Sequence, residues 1–514
     1  MSTKKKLLNA ALIVMAFSLL GKLFGFLREV IIASSFGTTF RSDAYFIGLS
    51  ASDFFRDMIS GSVITAALIP IYASLLSSDI TIAKAKKVLN QTISYLSLLL
   101  IITAIIGVIF SAQIVKLFAP EASINTLILS GQLSKIMFPA IIFAGLASVL
   151  GSILNVYNKF LIPSSNQLLL NLGVITGVLT LSSYFGVKSL AIGIVLGSLM
   201  QFFSIMFSTK NTNISFSPDF EISDDFKKLF SIVIPLFLAA FLSTANDLVT
   251  RAIAAGLDTG SVAAFNFSNK IKETPWLLIS VPIGTVLFPM LSTNFSKENI
   301  KKYTEMLEFS IKTVTLVAAP VCVFIFFFSE PITKLIYERG VFTATSTAIT
   351  SVALKYSMIG AFFYALNYVL LRAYYSTKNN KLVLWYSLLA VIVNIALGLA
   401  LRPTFEIAGI SLARSVSEIA FSILLFSGLI LFVKDYKLKD AILFLITVIA
   451  IAVVSVSAPY FLFYNRFQSV IILLIVSSVS ATGLFILLGK LFKVSEIITF
   501  ISKLRALKNA KQNQ

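Results

Sequence analysis

The chain has 514 residues, of which 57% are hydrophobic and only 13% are charged, and its formal net charge is +19. An average soluble domain carries about 25% charged residues, so the composition excludes a soluble globule of this length. One cysteine, Cys322, and no histidine exclude an internal disulfide and a Cys/His metal site. The lack of imidazole acid–base chemistry also argues against an enzyme.

Apolar segments long enough to cross a membrane recur from near the N-terminus to about residue 492. A helix rises 1.5 Å per residue, so about 20 apolar residues span the hydrocarbon core. The pattern predicts an all-α polytopic membrane protein with 14 transmembrane helices and an uncleaved first span. The span centres lie near residues 20, 60, 103, 140, 173, 198, 240, 278, 316, 360, 390, 420, 452 and 480.

The positions of the Lys and Arg residues predict the orientation of these spans. With a cytoplasmic N-terminus, the inside segments hold twenty-four cations and the outside segments hold seven. The positive-inside rule then places both termini in the cytoplasm. Most of the basic excess is therefore a topology signal, and we expect no nucleic acid partner. The outside cations are Arg41, Lys116, Lys188, Lys334, Arg339, Arg402 and Arg466.

An internal repeat relates the first six spans to the next six. Three pairs of segments are similar at offsets between 217 and 221 residues: IIASSFG with AIAAGLD, TAALIPIYASL with TVLFPMLSTNF, and NVYNKF with RAYYSTK. Because six spans is an even number, both halves enter from the same side. This predicts two six-helix lobes related by a pseudo-two-fold along the membrane normal, plus two C-terminal helices. The alternative is chance similarity between apolar helices.

The repeat divides the chain into five predicted regions. The last two helices lie outside the repeat, and we expect them to pack beside the N-terminal half. The regions are an N-terminal lobe (1–208), a cytoplasmic linker (209–223), a C-terminal lobe (224–433), helices 13 and 14 (434–492) and a basic cytoplasmic tail (493–514).

Ionisable residues within the spans are concentrated in spans 1 and 2 and in their repeat mates, spans 7 and 8. Each costs about 2.5–3.5 kcal/mol near the bilayer centre, so it normally faces a protein interior or a water-filled cavity. We predict a central polar cavity whose cations suit phosphate, although charges at helix ends can also snorkel to the interface. These residues are Lys22, Arg28, Glu29, Asp43, Asp53, Arg56, Asp57, Asp247, Arg251, Lys270, Lys272 and Glu273.

Five segments carry motifs of one transporter family: 25–46 (GFLREVIIASSFGTTFRSDAYF), 54–70 (FFRDMISGSVITAALIP), 147–171, 260–292 and 337–347 (YERGVFTATST). In this order and spacing the chain resembles the MurJ/MviN family, the bacterial lipid II flippases of the multidrug/oligosaccharidyl-lipid/polysaccharide exporter superfamily. The resemblance implies two six-helix lobes around a cationic cavity, with helices 13 and 14 forming a groove for the polyprenyl tail. The alternative for these two helices is a spacer that delivers the basic tail to anionic lipid.

The resemblance also assigns site residues. The family's first-helix Arg–acid pair falls on Arg28 and Glu29, its second-helix Asp and Arg on Asp43 and Arg56, and its eighth-helix cation on Lys270. Glu29 replaces the usual Asp, Lys270 the usual Arg, and Ser60 the usual acidic residue. We expect no metal or cofactor, because span 11 has Asn394 where sodium-binding members carry a carboxylate. The predicted substrate-binding residues are Arg28, Glu29, Asp43, Arg56, Arg251 and Lys270.

The leading hypothesis is a non-enzymatic flippase of the bacterial inner membrane that moves lipid II to the outer leaflet by alternating access. Alternatives are a flippase for another polyprenyl-linked oligosaccharide (O-antigen or teichoic type) and a drug/cation antiporter. A glycosyl- or phosphotransferase would use Asp53 with Asp57, or Asp224–Asp225, and a scaffold would not need cavity charges. We expect a monomer whose partners are lipid II, the membrane and cell-wall synthesis proteins.

Overall fold

The computed structural model describes residues 3–59, 62–75, 82–210, 216–297, 299–377, 379–431, 433, 438–494 and 496–498. Within these ranges the chain is almost entirely helical and has no strand. Long apolar segments fold this way because a helix satisfies its backbone hydrogen bonds internally, which hydrocarbon requires. Ser60 and the basic tail from residue 499 onward lie outside the described residues.

Contacts divide the chain into two compact units, and the first comprises residues up to Ala263 together with Arg339–Thr343. The second segment joins the first unit through the backbone, because the Val341 N–H donates to the carbonyl oxygen of Ser34 (2.8 Å). The first unit contains α1 (Thr3–Phe36), α2 (Phe40–Ile59), α3 (Ser62–Leu75), α4 (Ile82–Ile109), α5 (Ser111–Phe118), α6 (Ile124–Met137), α7 (Ala140–Val156), α8 (Leu161–Phe185), α9 (Lys188–Thr209) and α10 (Asp224–Ala254).

The second unit comprises residues 264–338 and 344–514. Its longest helix, α15, has 50 residues and is kinked at Glu406, where the backbone is not helical. The helices are α11 (Ser261–Ser296, whose first three residues belong to the first unit), α12 (Ile300–Phe327), α13 (Ser329–Tyr337), α14 (Ala344–Ser376), α15 (Asn380–Leu429), α16 (Leu438–Phe463) and α17 (Val470–Leu491).

Nine helices of the described residues are long and apolar enough to cross a membrane, and a tenth crossing results if the bent pair α6 and α7 is counted as one span. The bend between these two helices is 44°. This confirms the predicted class, an all-α membrane protein with many spans. Helix α2 is not among the nine because it carries five charged residues within twenty: Arg41, Asp43, Asp53, Arg56 and Asp57.

The element boundaries repeat along the chain, which supports the internal repeat read from the sequence. Helices α4 and α12 both have 28 residues and begin 218 residues apart, at Ile82 and Ile300. Each is followed by a short amphipathic helix, and these two also begin 218 residues apart, at Ser111 and Ser329. Their sequences, SAQIVKLF and SEPITKLIY, agree at Ser, Ile, Lys and Leu. In both halves, a short amphipathic helix therefore follows the 28-residue helix at the equivalent position in the chain.

In the first unit, α8 and α9 pack through glycines spaced four residues apart. A methyl group on Gly173 would lie 2.3 Å from the Cα of Gly197, and one on Gly177 would lie 2.8 Å from the Cα of Gly193. Such small-residue faces let two backbones approach closely within a membrane, where van der Waals contact drives helix association. The close pairing of α8 and α9 therefore depends on having glycine at these positions.

The last two helices pack on the second unit. The Tyr460 ring of α16 lies 5.3 Å from the ring of Phe327 and 5.4 Å from that of Phe328, at the end of α12. Helix α17 contacts α13. The prediction that these helices pack beside the N-terminal half is therefore wrong. Aromatic rings at the end of α12 pack against α16. Cys322, on α12, is buried.

Candidate functional site

The first predicted pair, Arg28 and Glu29, is buried in α1, with side chains that are only 14% and 7% exposed. The Nη2 of Arg28 donates to Glu29 Oε1 (2.6 Å), and its Nη1 donates to Asn171 Oδ1 (3.0 Å) on α8. The Asn171 amide is itself fixed, since its Nδ2 donates to the carbonyl oxygen of Gly21 (2.8 Å). Residues of two helices, α1 and α8, thus orient this guanidinium.

Arg56 on α2 lies between two carboxylates of its own helix. Its Nη1 is 2.7 Å from Asp53 Oδ1, and its Nε and Nη2 are each 3.2 Å from Asp57 Oδ1. The sequence analysis considered these two aspartates as a catalytic pair for a transferase. In the structure both of them hold one arginine.

Arg251 completes a group of three arginines. Its Nη1 donates to Ser50 Oγ on α2 (2.7 Å), and Arg28, Arg56 and Arg251 all interact electrostatically with Asp53. The first unit therefore gathers three of the six predicted residues as cations around one carboxylate, with Glu29 beside Arg28. We call Arg28, Glu29, Asp53, Arg56, Asp57 and Arg251 the arginine group.

The arginine group is balanced in charge, with three guanidiniums and three carboxylates. Guanidinium groups bind phosphate through paired hydrogen bonds. Here Arg28 and Arg56 direct donors at carboxylates, whereas Arg251 donates to the hydroxyl of Ser50. The sequence analysis underestimated Asp53, which was not among its site residues.

Tyr45 is a further member that the sequence analysis missed. It is fully buried and lies within electrostatic reach of Arg28, Glu29, Asp53 and Arg56. Its hydroxyl has no hydrogen-bond partner within the described part of the chain. The signal was available in the spacing, because Tyr45 precedes Asp53 by eight residues and Arg56 by eleven, which places all three on one face of α2.

Asp43 takes part in a different contact. Its Oδ2 accepts from the Gly260 N–H (2.5 Å) and its Oδ1 from the Ala263 N–H (2.8 Å), at the start of α11. A carboxylate at this position satisfies unpaired amides and complements the helix dipole. Asp43 therefore fixes the beginning of α11 instead of facing the arginine group.

Lys270 belongs to the second unit. Its Nζ lies 3.8 Å from Glu273 Oε2, one turn along α11, and the two side chains are 30% and 50% exposed. Such a long, partly exposed pair contributes little energy. The ammonium remains available to another anion.

The second unit also holds an aromatic and arginine cluster that the sequence analysis did not single out. The Trp276 ring of α11 lies 5.3 Å from that of Tyr364 and 5.7 Å from that of Tyr368 on α14. The Arg372 Cζ lies 4.4 Å from the Tyr368 ring centroid, and its Nη2 donates to the Tyr368 hydroxyl (2.5 Å). The spacing of four residues between Tyr364, Tyr368 and Arg372 was the available signal.

Solved structures identify the class of protein that this fold defines. The inward-facing conformation of a multidrug resistance MATE family transporter of the MOP superfamily matches with a TM-score of 0.62 at 14% identity, covering 84% of this chain and 99% of that one. The fold of this chain is therefore similar to that of this polytopic helical protein. Among the described residues, no three His, Cys, Asp or Glu side chains are grouped to hold a metal ion.

The particular family follows from nearer matches. A structure of lipid II flippase MurJ in an inward closed conformation matches with a TM-score of 0.82 at 25% identity, covering 95% of this chain and all of that one. The family model for lipid II flippase MurJ matches residues 32–495. The chain belongs to this family.

Curated relatives agree over most of their length. A probable lipid II flippase MurJ of Vibrio cholerae is 27% identical, with 83% of this chain and 84% of the relative covered. Another, of Buchnera aphidicola subsp. Schizaphis graminum, is 26% identical, with 97% and 99% covered.

Proposed function

We propose that this protein is a lipid II flippase, which moves the undecaprenyl-pyrophosphate-linked peptidoglycan precursor from the cytoplasmic to the outer leaflet of the bacterial inner membrane. The observation that carries the proposal is the arginine group, within a chain of the MurJ family. Its donors match a pyrophosphate, while a drug or cation exporter requires a net acidic pocket. No bond is made or broken, so the protein acts as a transporter and not as an enzyme.

The arginine group suggests how the headgroup is bound and released. Glu29 accepts from Arg28, and Asp53 and Asp57 hold Arg56. The pyrophosphate competes for the same donors, and a conformation that offers them more fully binds it more tightly. A ligand shifts the equilibrium between two conformations only through such a difference in affinity. An inside-negative potential of 100 mV adds about 2.3 kcal/mol for each negative charge moved outward.

The helices can be grouped into fourteen crossings. Helices α2 with α3, and α6 with α7, each form one crossing, while α15 forms two that meet at its kink. The short helices α5 and α13 do not cross. With this grouping both termini are cytoplasmic, the two six-span halves are lobes related by an axis along the membrane normal, and α16 with α17 supply the surface for the polyprenyl tail.

Complementation tests the proposal directly. The chain is expressed in a bacterium depleted of its own lipid II flippase, and we expect growth to be restored. Arg28→Ala, Arg56→Ala and Lys270→Ala should each abolish growth at normal expression, because each loses a charge-assisted bond worth about 1.5–3 kcal/mol.

Matched controls are Lys84→Ala and Lys301→Ala, since both lysines are exposed. These variants should restore growth as wild type does. The proposal fails if wild-type protein reaches the membrane without restoring growth. Equal growth of the two sets would assign the intramembrane cations a purely structural role.

A further inference from the structure

A cavity of about 740 Å³ opens at one end of the first unit, apart from the arginine group. Four chain connections meet there: the start of α2, the start of α6, the turn between α8 and α9, and the turn before α11. The polar lining comes from Arg41, Ser123, Asn125, Gln132, Lys188 and Thr259. Two of the four connections contribute cations that the positive-inside rule assigns to the outer side, Arg41 and Lys188.

The polar lining suits an anion. Arg41 and Lys188 supply two cations, and amide and hydroxyl side chains supply neutral donors. None of the lining residues in this part of the described chain is acidic. The nearest acidic positions along the chain are Glu121, Asp258 and Asp43, and none of them lines the cavity. Glu121 and Asp258 are exposed, whereas Asp43 is buried and accepts hydrogen bonds from the amides of Gly260 and Ala263. A phosphate group therefore meets attraction from two sides without a facing carboxylate.

Part of the remaining lining consists of exposed apolar side chains. Phe40, Ile128 and Phe185 line the cavity and are 39%, 55% and 52% exposed. Tyr184, beside Phe185, is 83% exposed. Aromatic side chains next to cations are typical of the boundary between membrane and water. An occupant that satisfies both parts of this surface has an anionic head and an apolar tail.

We propose that this cavity binds the phosphodiester headgroup of an anionic membrane lipid, with its acyl chains along Phe185 and Ile128. Arg41 and Lys188 are the recognition residues, and Asn125 and Gln132 donate to the headgroup. Basic pockets between membrane helices bind lipid headgroups in this way. The four connections that meet at the cavity are then held together by one lipid molecule.

The test uses the purified full-length protein in a neutral detergent, with native mass spectrometry and thermal unfolding as readouts. Phosphatidylglycerol should be retained and should raise the Tm, whereas phosphatidylcholine and inorganic phosphate should not. The double variant Arg41→Gln with Lys188→Gln should bind phosphatidylglycerol at least about tenfold more weakly, because about 1.4 kcal/mol corresponds to a tenfold change. This readout does not depend on translocation, so its failure leaves the proposed function untouched.

Two further variants keep the result interpretable. Lys116→Gln removes another exposed cation, on α5, that does not line the cavity, and should bind as wild type does. Arg41→Lys with Lys188→Arg keeps both charges and should retain binding. Loss of binding in Lys116→Gln, retention in the double Gln variant, loss in the charge-preserving variant, or an equal Tm shift from inorganic phosphate would each overturn the proposal.

Discussion

Asp43 is a candidate site residue whose carboxylate stabilises the fold. Its two oxygens accept from the amides of Gly260 and Ala263, and the side chain is only 5% exposed. The sequence places these partners 217 and 220 residues away. The contact is therefore one that only the fold reveals, although the acid itself was identified from the family motif.

We predict that Asp43→Ala lowers both stability and growth in the complementation assay. Two buried amides lose their acceptor, and each unsatisfied group costs about 1–3 kcal/mol. Asp43→Asn keeps one acceptor oxygen and should lose less. Thermal unfolding of the purified variants measures the effect, with the exposed Asp258→Ala as control. A Tm for Asp43→Ala equal to that of the control would show that the amides find other partners.

Tyr45 offers the opposite case, because its hydroxyl has no hydrogen-bond partner among the residues that the structure describes. We predict that Tyr45→Phe leaves the Tm unchanged and slows lipid translocation, because the hydroxyl is free to donate to a bound headgroup. The matched control is Tyr303→Phe: the Tyr303 hydroxyl is buried and donates to the carbonyl oxygen of Ala373 (3.0 Å). That variant should lose about 1 kcal/mol of stability and keep its activity. The same profile in both variants would make Tyr45 an ordinary packing residue.

At the level of helices, the contact between α8 and α9 depends on glycine residues, whose lack of a side chain lets the two backbones approach closely. We predict that Gly173→Ala destabilises the first unit, because its methyl group would overlap the backbone of Gly197. Gly483→Ala on α17 is the control, since no atom lies within 4 Å of a methyl group there. We expect a loss of about 1–3 kcal/mol, typical of overpacking, only at Gly173. Equal unfolding curves for the two variants would mean that α8 and α9 separate easily.

Some features of the helices could be predicted from the sequence, and others could not. Hydropathy and charge identified the helical membrane class, and the pair Arg28 and Glu29, because both depend on neighbouring residues. The pairing of Arg414 with Glu418, buried in α15 with Asn367 bonded to the same carboxylate, was missed although its spacing of four residues was readable. The prediction that the last two helices pack beside the N-terminal half was wrong, because α16 packs on α12 through the Tyr460 ring. Apolar helix surfaces are too similar in sequence for this partner to be predicted.

At the scale of the whole molecule, the cavity bears on the orientation of the chain in the membrane. Arg41, Lys188 and Thr259 line one cavity although they come from three distant connections, which is what helices of alternating direction produce. At the level of the chain we predict that this end faces outward and that Lys84 faces the cytoplasm.

Cysteine labelling measures this orientation. In a Cys322→Ala background, Lys188→Cys should react with a membrane-impermeant maleimide in intact spheroplasts, and Lys84→Cys should react only after permeabilisation. The reversed pattern would invert the topology, and labelling of both sites in intact spheroplasts would place both on the outer side.

The charge balance of the arginine group has a consequence for how the chain is made. Glu29 is adjacent to Arg28 on α1, and Asp53 and Asp57 flank Arg56 on α2. Each of these arginines therefore finds its counter-ion within its own helix, before the helices that follow it in the chain have been synthesised. Since an unpaired charge is costly at the bilayer centre, a nascent helix that carries its own neutralising partner leaves the translocon more easily. Biogenesis thus constrains these acidic residues as strongly as transport does.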